Sequence, residues 1–423
     1  MATRRIIARS SPELPKNEIP FMHRDTFSAV PNTDRPYCGS KYLEADCLRI
    51  EFSGRNQPTT GSGWLIGLFD GKTTFGWTAS NLQNWEANPT TGELRTEGKG
   101  KSGLIHTTAQ FDDFELHLEF KAGTKTNSGV FIRTNPKPKS AARDCYEINI
   151  AATGTHDYTT GAIVARTKTD VQVATDQWRM MKIKAVGDRI QVWVDDLPTA
   201  DFKDPKPLGL GYIGLQAKTG AVSFRNIRLK PLSQKPLFDG TDLSNWNTDQ
   251  SMASKFSVTD AGELSVINGK GQLESKDKFA NFVLSFQCKT NAPGLNSGMF
   301  FRCIPGDVMN GYESQIQSGI KNDDRSDPED CGTGGIFRRA NARVVNANDQ
   351  QWFATTIITT GPRIGVWVNG LQVTDWVDKR KPNENPRRGY RAAAGTLTIQ
   401  GHDPTTDLLF RQIQVRELSK RRP

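Results

Sequence analysis

Residues 114–120 read FELHLEF: Phe114, Leu116, Leu118 and Phe120 alternate with Glu115, His117 and Glu119. A period of two sends successive side chains to opposite faces, so the stretch predicts a β-strand with one buried face. Its counterpart is FVLSFQ at 282–287. Around these two strands the same motifs recur in the same order. LFDGKTTFGW (68–77) pairs with LFDGTDLSNW (237–246), and NSGVFIR (127–133) with NSGMFFR (296–302). YEINI (146–150) pairs with YESQI (312–316), and DRIQVWVDD (188–196) with PRIGVWVNG (362–370). The copies end on VSFRNIRL (222–229) and LLFRQIQV (408–415). A repeat this long makes whole domains rather than a solenoid.

Most matched segments are short, alternate with a period of two and are separated by turns such as VNG and GDR. The expected fold is therefore all-β: two antiparallel β-sandwich or jelly-roll domains in tandem. The short, proline-bearing KPLSQKP at 230–236 marks the joint, giving domains at 61–232 and 233–423. Residues 1–60 match neither copy and read as an N-terminal extension in which only CLRIEF (47–52) resembles a strand.

Composition narrows the classes. The chain has 423 residues, 38 Gly, 22 Pro, 24% charged residues and a mean hydropathy of −0.56. No stretch approaches the roughly 20 apolar residues of a membrane span, so no transmembrane segment is expected. The first 20 residues contain no apolar core of a signal peptide. The net charge of +9 is partly concentrated in TRRIIAR (3–9) and KRRP (420–423), with no basic helix or aromatic RNA-binding motif, so no nucleic-acid partner is expected. Six cysteines show no zinc-type spacing. Cys38–Cys47 is the most local disulfide option, whereas Cys288 and Cys303 read as buried free thiols.

Placed on strands, the repeated motifs nominate a site. Val130 and Ile132 face the core, leaving Phe131 and Arg133 opposite; Met299 and Phe301 face inward, leaving Phe300 and Arg302. Glu147 and Asn149, and likewise Glu313 and Gln315, share one face, with Tyr146 and Tyr312 on the other. Carboxylate, amide and guanidinium on one sheet suit a polyhydroxylated ligand, because each hydroxyl both donates and accepts. Trp193 and Trp367 are candidate platforms for a sugar ring. Each residue also has a structural alternative: cross-strand Arg–Glu pairs are common, and a polar-face tryptophan can pack under a neighbour. The last motif separates the copies. The second has Gln400, His402 and Asp403, whereas the first keeps Gln216 but has Ala217 and Lys218. His402 is a candidate acid or base, and the second copy is the better candidate for chemistry. The acidic stretch NDDRSDPED (322–330) reads as a solvated loop or a hard-cation site without EF-hand register. GKGKSG (98–103) lacks P-loop register.

The ordered set LFDG…W, GEL, NSG(V/M)F(I/F)R, YExQ, TGGI, VWVNG, QGHD and FR(N/Q)I resembles the 3-keto-disaccharide hydrolase-like domain family, over both copies. The resemblance implies a concanavalin- or laminarinase-like sandwich, a periplasmic or extracellular location, and cleavage of 3-keto-glycosides as hydrolase or lyase. A non-catalytic carbohydrate-binding or cell-surface module is the alternative. The expected partner is an oligosaccharide or 3-keto-glycoside. Carried over by motif, the resemblance makes Glu313 a base or metal ligand and His402 an acid, base or metal ligand. Arg302, Gln315 and Gln400 would hold hydroxyls or an enolate oxygen. Asn296 and Trp367 join them as substrate-binding candidates, and in the first copy Arg133, Glu147 and Gln216 match. No cofactor is certain; a divalent metal is an option.

Overall fold

The computed structural model describes residues 65–79, 84–99, 102–152 and 156–418. The expectations for residues 1–60, for Cys38–Cys47 and for the basic ends lie outside these residues.

Alternation produces strands throughout. In the Phe114–Ala122 strand, Phe114, Leu116, Leu118 and Phe120 are buried while Glu115, His117 and Glu119 are partly exposed. Ile190, Val192 and Val194 do the same in Arg189–Val194. Every regular element of any length among the described residues is a strand. Each copy assembles an eight-stranded and a five-stranded antiparallel sheet, and strand order is identical between copies. The five-stranded sheet of the first copy runs Trp77–Ala79, Gly103–Thr107, Tyr212–Ala217, Asn127–Thr134, Tyr146–Ala151. In the second it runs Trp246–Thr248, Gly271–Phe279, Gly395–Gly401, Ser297–Cys303, Tyr312–Ile316.

The inner faces of the paired sheets close on one apolar core per copy. Val130, Ile132 and Ile148 meet Leu116 and Phe224 in the first, and Met299, Phe301 and Ile399 meet Phe286 and Phe410 in the second. Fully burying one such side chain contributes about 1.5–3 kcal/mol. This is a pair of tandem β-sandwiches, as the alternation predicts. Cys288 and Cys303 are buried free thiols, as are Cys145 and Cys331.

The strand that ends on an arginine departs from the expected alternation. Arg133 and Arg302 have φ of 48° and 50°, and the ladder shifts register at both. Opposite each bulge stands a glycine. A Cβ on Gly211 would lie 2.4 Å from the Arg133 carbonyl carbon, and one on Gly395 would lie 2.5 Å from that of Arg302. The bulge redirects both side chains to the sheet end, where each is 1% exposed. Arg133 Nε donates to Asp112 O (2.8 Å) and Nη1 to Gly187 O (2.7 Å). Arg302 Nε donates to Ala280 O (2.7 Å) and Nη1 to Arg391 O (3.3 Å). Neither guanidinium lies on the polar face, which corrects the expectation that they bind sugar.

Trp367 is also corrected. It does face away from its own core, but the first sandwich covers it, and its indole Nε1 donates to Gly67 O at 2.9 Å. Val283, Ile358, Trp367 and Leu418 of the second copy join the apolar cluster of the first. Arg416 reaches across to Asp112 (3.0 Å) and Asp113 (3.0 Å). Asp113 also accepts from Arg133, from Gly187 N at 2.8 Å and from Ser233 Oγ at 2.7 Å. Removing one partner of such a network strands the others in low dielectric. Asp113→Ala is therefore expected to cost roughly 3 kcal/mol of unfolding free energy in urea titrations. A loss under about 1 kcal/mol would show that the network is dispensable.

Candidate functional site

Packing commits one face of each five-stranded sheet and leaves the other for polar residues. Cross-strand registry arranges that outer face in rows. In the second copy one row holds Gln272, Gln400, Gly298 and Gln315, and the next holds Glu274, Thr398, Phe300 and Glu313. In the first copy the same places hold Leu104, Gln216, Gly129 and Asn149, then His106, Gly214, Phe131 and Glu147.

Glu313 is the most perturbed acid of this face. It is 8% exposed. Burial, reinforced by Asp330, pushes its carboxyl up to about 8, while Arg387 and Arg338 pull the other way. Its side chain leans over Gly298: a Cβ there would come within 2.5 Å of Glu313 Oε1. Gly298 therefore serves close approach, and what approaches is the carboxyl. Gln315 and Gln400 flank Gly298, and the amide oxygen of each is buried without a hydrogen-bond partner. Gln315 Nε2 is fixed by Asn296 Oδ1 at 2.8 Å. Two buried acceptors without a donor beside a carboxyl carry a desolvation cost that a hydrogen-bond donor would relieve.

The surrounding loops decide how much of the face stays open. TGGI runs along the free edge of the Tyr312–Ile316 strand: Gln315 N donates to Gly335 O, Gly334 N to Gln315 O and Phe337 N to Glu313 O. That course carries Arg338 past the Glu313 carboxyl. On the far side the 304–311 loop folds down, with Met309 N donating to Gln272 Oε1 (2.7 Å) and Gly306 N to Glu274 Oε1 (3.2 Å). Beside this loop Gln315, Glu313 and Gln400 stay buried, 1%, 8% and 8% exposed.

His402 stands apart. It lies two residues past Gln400, half exposed, with Nδ1 2.7 Å from Asp403 Oδ2. Hydrogen bonds from Thr405 and His402 lower Asp403 to about 2. Counting four residues along the strand and two strands across, the Glu313 and His402 backbones are on the order of 15 Å apart. Arg302, Glu313 and His402 thus do not converge; Gln315 and Gln400 flank Gly298 next to Glu313, and Asn296 is tied to them only through Gln315.

Among the described residues, no group of three or more His, Cys, Asp and Glu is gathered as a metal would require. Glu313 and His402 do not form a ligand pair. Most of the acidic 322–330 stretch belongs to a small hairpin of Ile320–Lys321 and Asp324–Pro328, in which Asp324 accepts from Ser326 N. The sequence reading missed Arg338 and Arg387, although FRR directly follows TGGI, and it read Asp330 only as the end of the acidic stretch, not as a neighbour of Glu313.

The first copy keeps Glu147 and Gln216 on the floor of a cavity of about 430 Å³. Burial raises Glu147, with Lys218 and a hydrogen bond from Gln216 opposing. Asn149 is engaged by Tyr158 O, and Asn127 meets His156 at 2.9 Å.

Residues 63–230 and 233–416 each match the 3-keto-alpha-glucoside-1,2-lyase-like domain. The chain belongs to that family. Membership places this tandem 3-keto-alpha-glucoside-1,2-lyase-like protein among carbohydrate-active proteins. No curated relative matches it. Similar solved structures include two candidate glycosyl hydrolases from Parabacteroides distasonis. One is 26% identical, covering 44% of this chain and all of that one at a TM-score of 0.35. The other is 18% identical, covering 40% and 94% at 0.35. The carbohydrate-binding module CBM66 of Bacillus subtilis is 20% identical, covering 37% and 95% at 0.30. No helix among the described residues is long and apolar enough to cross a membrane.

The raised Glu313 carboxyl sets a stability prediction. The folded group keeps its proton up to about 8, whereas the unfolded one releases it near 4.5. Between those values the unfolded state alone ionises, so wild-type stability falls as pH rises through that window. Glu313→Gln, always neutral, should be more stable than wild type at pH 8 and indistinguishable at pH 4 in thermal melts. Equal differences at both pH values would mean that Glu313 titrates in the ordinary range.

Proposed function

We propose that the second sandwich cleaves glycosides already oxidised at sugar carbon 3, with Glu313 moving the proton. The observation carrying this reading is a buried carboxyl, raised to about 8, lying between two unpartnered amide oxygens. A 3-keto group acidifies the neighbouring C2 hydrogen. Ionised Glu313 takes that proton, and the C2–H electrons form the C2=C3 enolate. The enolate then collapses to restore the ketone, forming C1=C2 as the C1–O bond breaks. The departing oxygen takes the proton back from Glu313, which returns to its starting state. Water added across C1=C2 would complete net hydrolysis; release before addition would make the enzyme a lyase.

The neighbours suit these steps. Gln315 and Gln400 accept from ring hydroxyls, and the Arg338 and Arg387 guanidinium groups beside Glu313 favour the negative enolate oxygen. A base titrating near the working pH is a stronger proton acceptor than an ordinary glutamate, while roughly a tenth of it is ionised at pH 7. His402, at the rim, contacts the leaving group rather than the C2 hydrogen. This reading goes with a periplasmic or extracellular location, which fractionating the source cells would test.

The test is release of aglycone from a 3-keto-glucoside. Glu313→Gln should lower kcat/KM by about 100-fold or more, and His402→Ala should chiefly raise KM. Because the ionised form is the base, kcat/KM should rise with pH to a plateau above about 8. Unchanged turnover in Glu313→Gln would sink the assignment. Glycan binding without turnover would make the protein a carbohydrate-binding module instead.

A further inference from the structure

We propose that the first sandwich carries a second saccharide site, independent of the chemistry assigned to the second copy, that takes an acidic sugar unit such as a uronate or a sulfated ring. The cavity of about 430 Å³ combines an apolar floor, Leu104 and Phe131, with Glu147 and Gln216. The Gln216 amide oxygen is buried without a partner. An apolar patch matches the C–H face of a pyranose, and the carboxyl and amide oxygens accept from its hydroxyls.

Two differences from the second copy create this space. Leu104 occupies the place of Gln272, so the floor offers no amide to tie a loop down. The connection between the two strands is longer here, 135–145 against 304–311, and it stands as a wall instead of folding over the face. Built-in contacts hold it there. Asp144 Oδ2 accepts from Lys139 N (2.7 Å) and Ser140 N (2.9 Å). Arg166, stacked 4.3 Å over the Tyr146 ring, donates to the carbonyls of Ala141 (2.6 Å) and Ala142 (2.9 Å). The cleft is thus formed before any ligand arrives, which limits the ordering cost of binding.

Charge selects the ligand. The wall contributes Lys137 and Lys139, and Glu147 is the one acid among the lining residues. Lys218, outside the lining residues, acts on Glu147 through its ammonium charge. A buried acid flanked by its own lysine handles hydroxyls, and the two wall lysines are left to meet an anionic substituent. The pair of arginines that flanks Glu313 has no counterpart among the lining residues, so the first site is assigned to binding alone.

Calorimetry on the full chain would compare a glucuronate-containing trisaccharide with its neutral glucose analogue, neither one oxidised at C3. The acidic sugar should bind about ten-fold tighter at low salt, and the preference should shrink at 300 mM salt. Lys137→Ala/Lys139→Ala, both exposed positions, should erase the preference while leaving the melting temperature unchanged. Equal binding of the two sugars, a preference that survives the double substitution, or no binding at millimolar sugar would each overturn the proposal. Because the readout is equilibrium binding of unoxidised sugars, its failure is distinct from failure of the lyase reading.

Discussion

A strand has two faces, and packing against the eight-stranded sheet consumes one of them. Everything functional here depends on what the other face of the five-stranded sheets is free to carry. Met299, Phe301, Tyr312, Leu397 and Ile399 fill the core, so Gly298, Phe300, Glu313, Thr398 and Gln400 stand on the opposite side. Registry then aligns these five residues from three separate strands within two adjacent rows. The carboxyl is perturbed because its neighbours shield it from water and Asp330 adds a like charge, which outweighs the Coulombic help of Arg387 and Arg338. That is how structural regularity produces a carboxyl that holds its proton.

Much of the fold was legible because the two-residue period is imposed by the core itself. Phe114 through Phe120 could hardly read otherwise and stay half buried, and the duplication supplied a second witness. The face assignment of Glu313 with Gln315, and of Glu147 with Asn149, followed from the same period. Arg133 and Arg302 escaped it because a left-handed backbone residue resets the alternation, and the enabling glycines, Gly211 and Gly395, lie far away in sequence. Trp367 escaped for another reason: period two tells which face a side chain leaves from, and not that a second sandwich covers that face.

Loops set the remaining differences between the copies. The 304–311 connection is drawn onto Gln272 and Glu274, and the first copy lacks both acceptors, having Leu104 and His106 in their places. A change of two side chains and a few loop residues therefore separates a roofed face from an open cleft. The proximity of Arg338 and Arg387 to Glu313 arises from chain segments whose courses depend on backbone hydrogen bonds, which no side-chain pattern announces. His402 carried a strong sequence signal yet lies at the rim, because motif order along a chain does not measure distance across a sheet.

Duplicated domains usually remain separable, each able to drift, be lost or be shuffled into other genes. The join between these two copies argues for a different history. Arg416 of one copy is neutralised by Asp112 and Asp113 of the other, and Trp367 shelters against Gly67. Excising the first sandwich would bare the Trp367 indole and strand Arg416, and excising the second would take from Asp112 its guanidinium partner, so neither copy can be inherited alone without a repair at the seam.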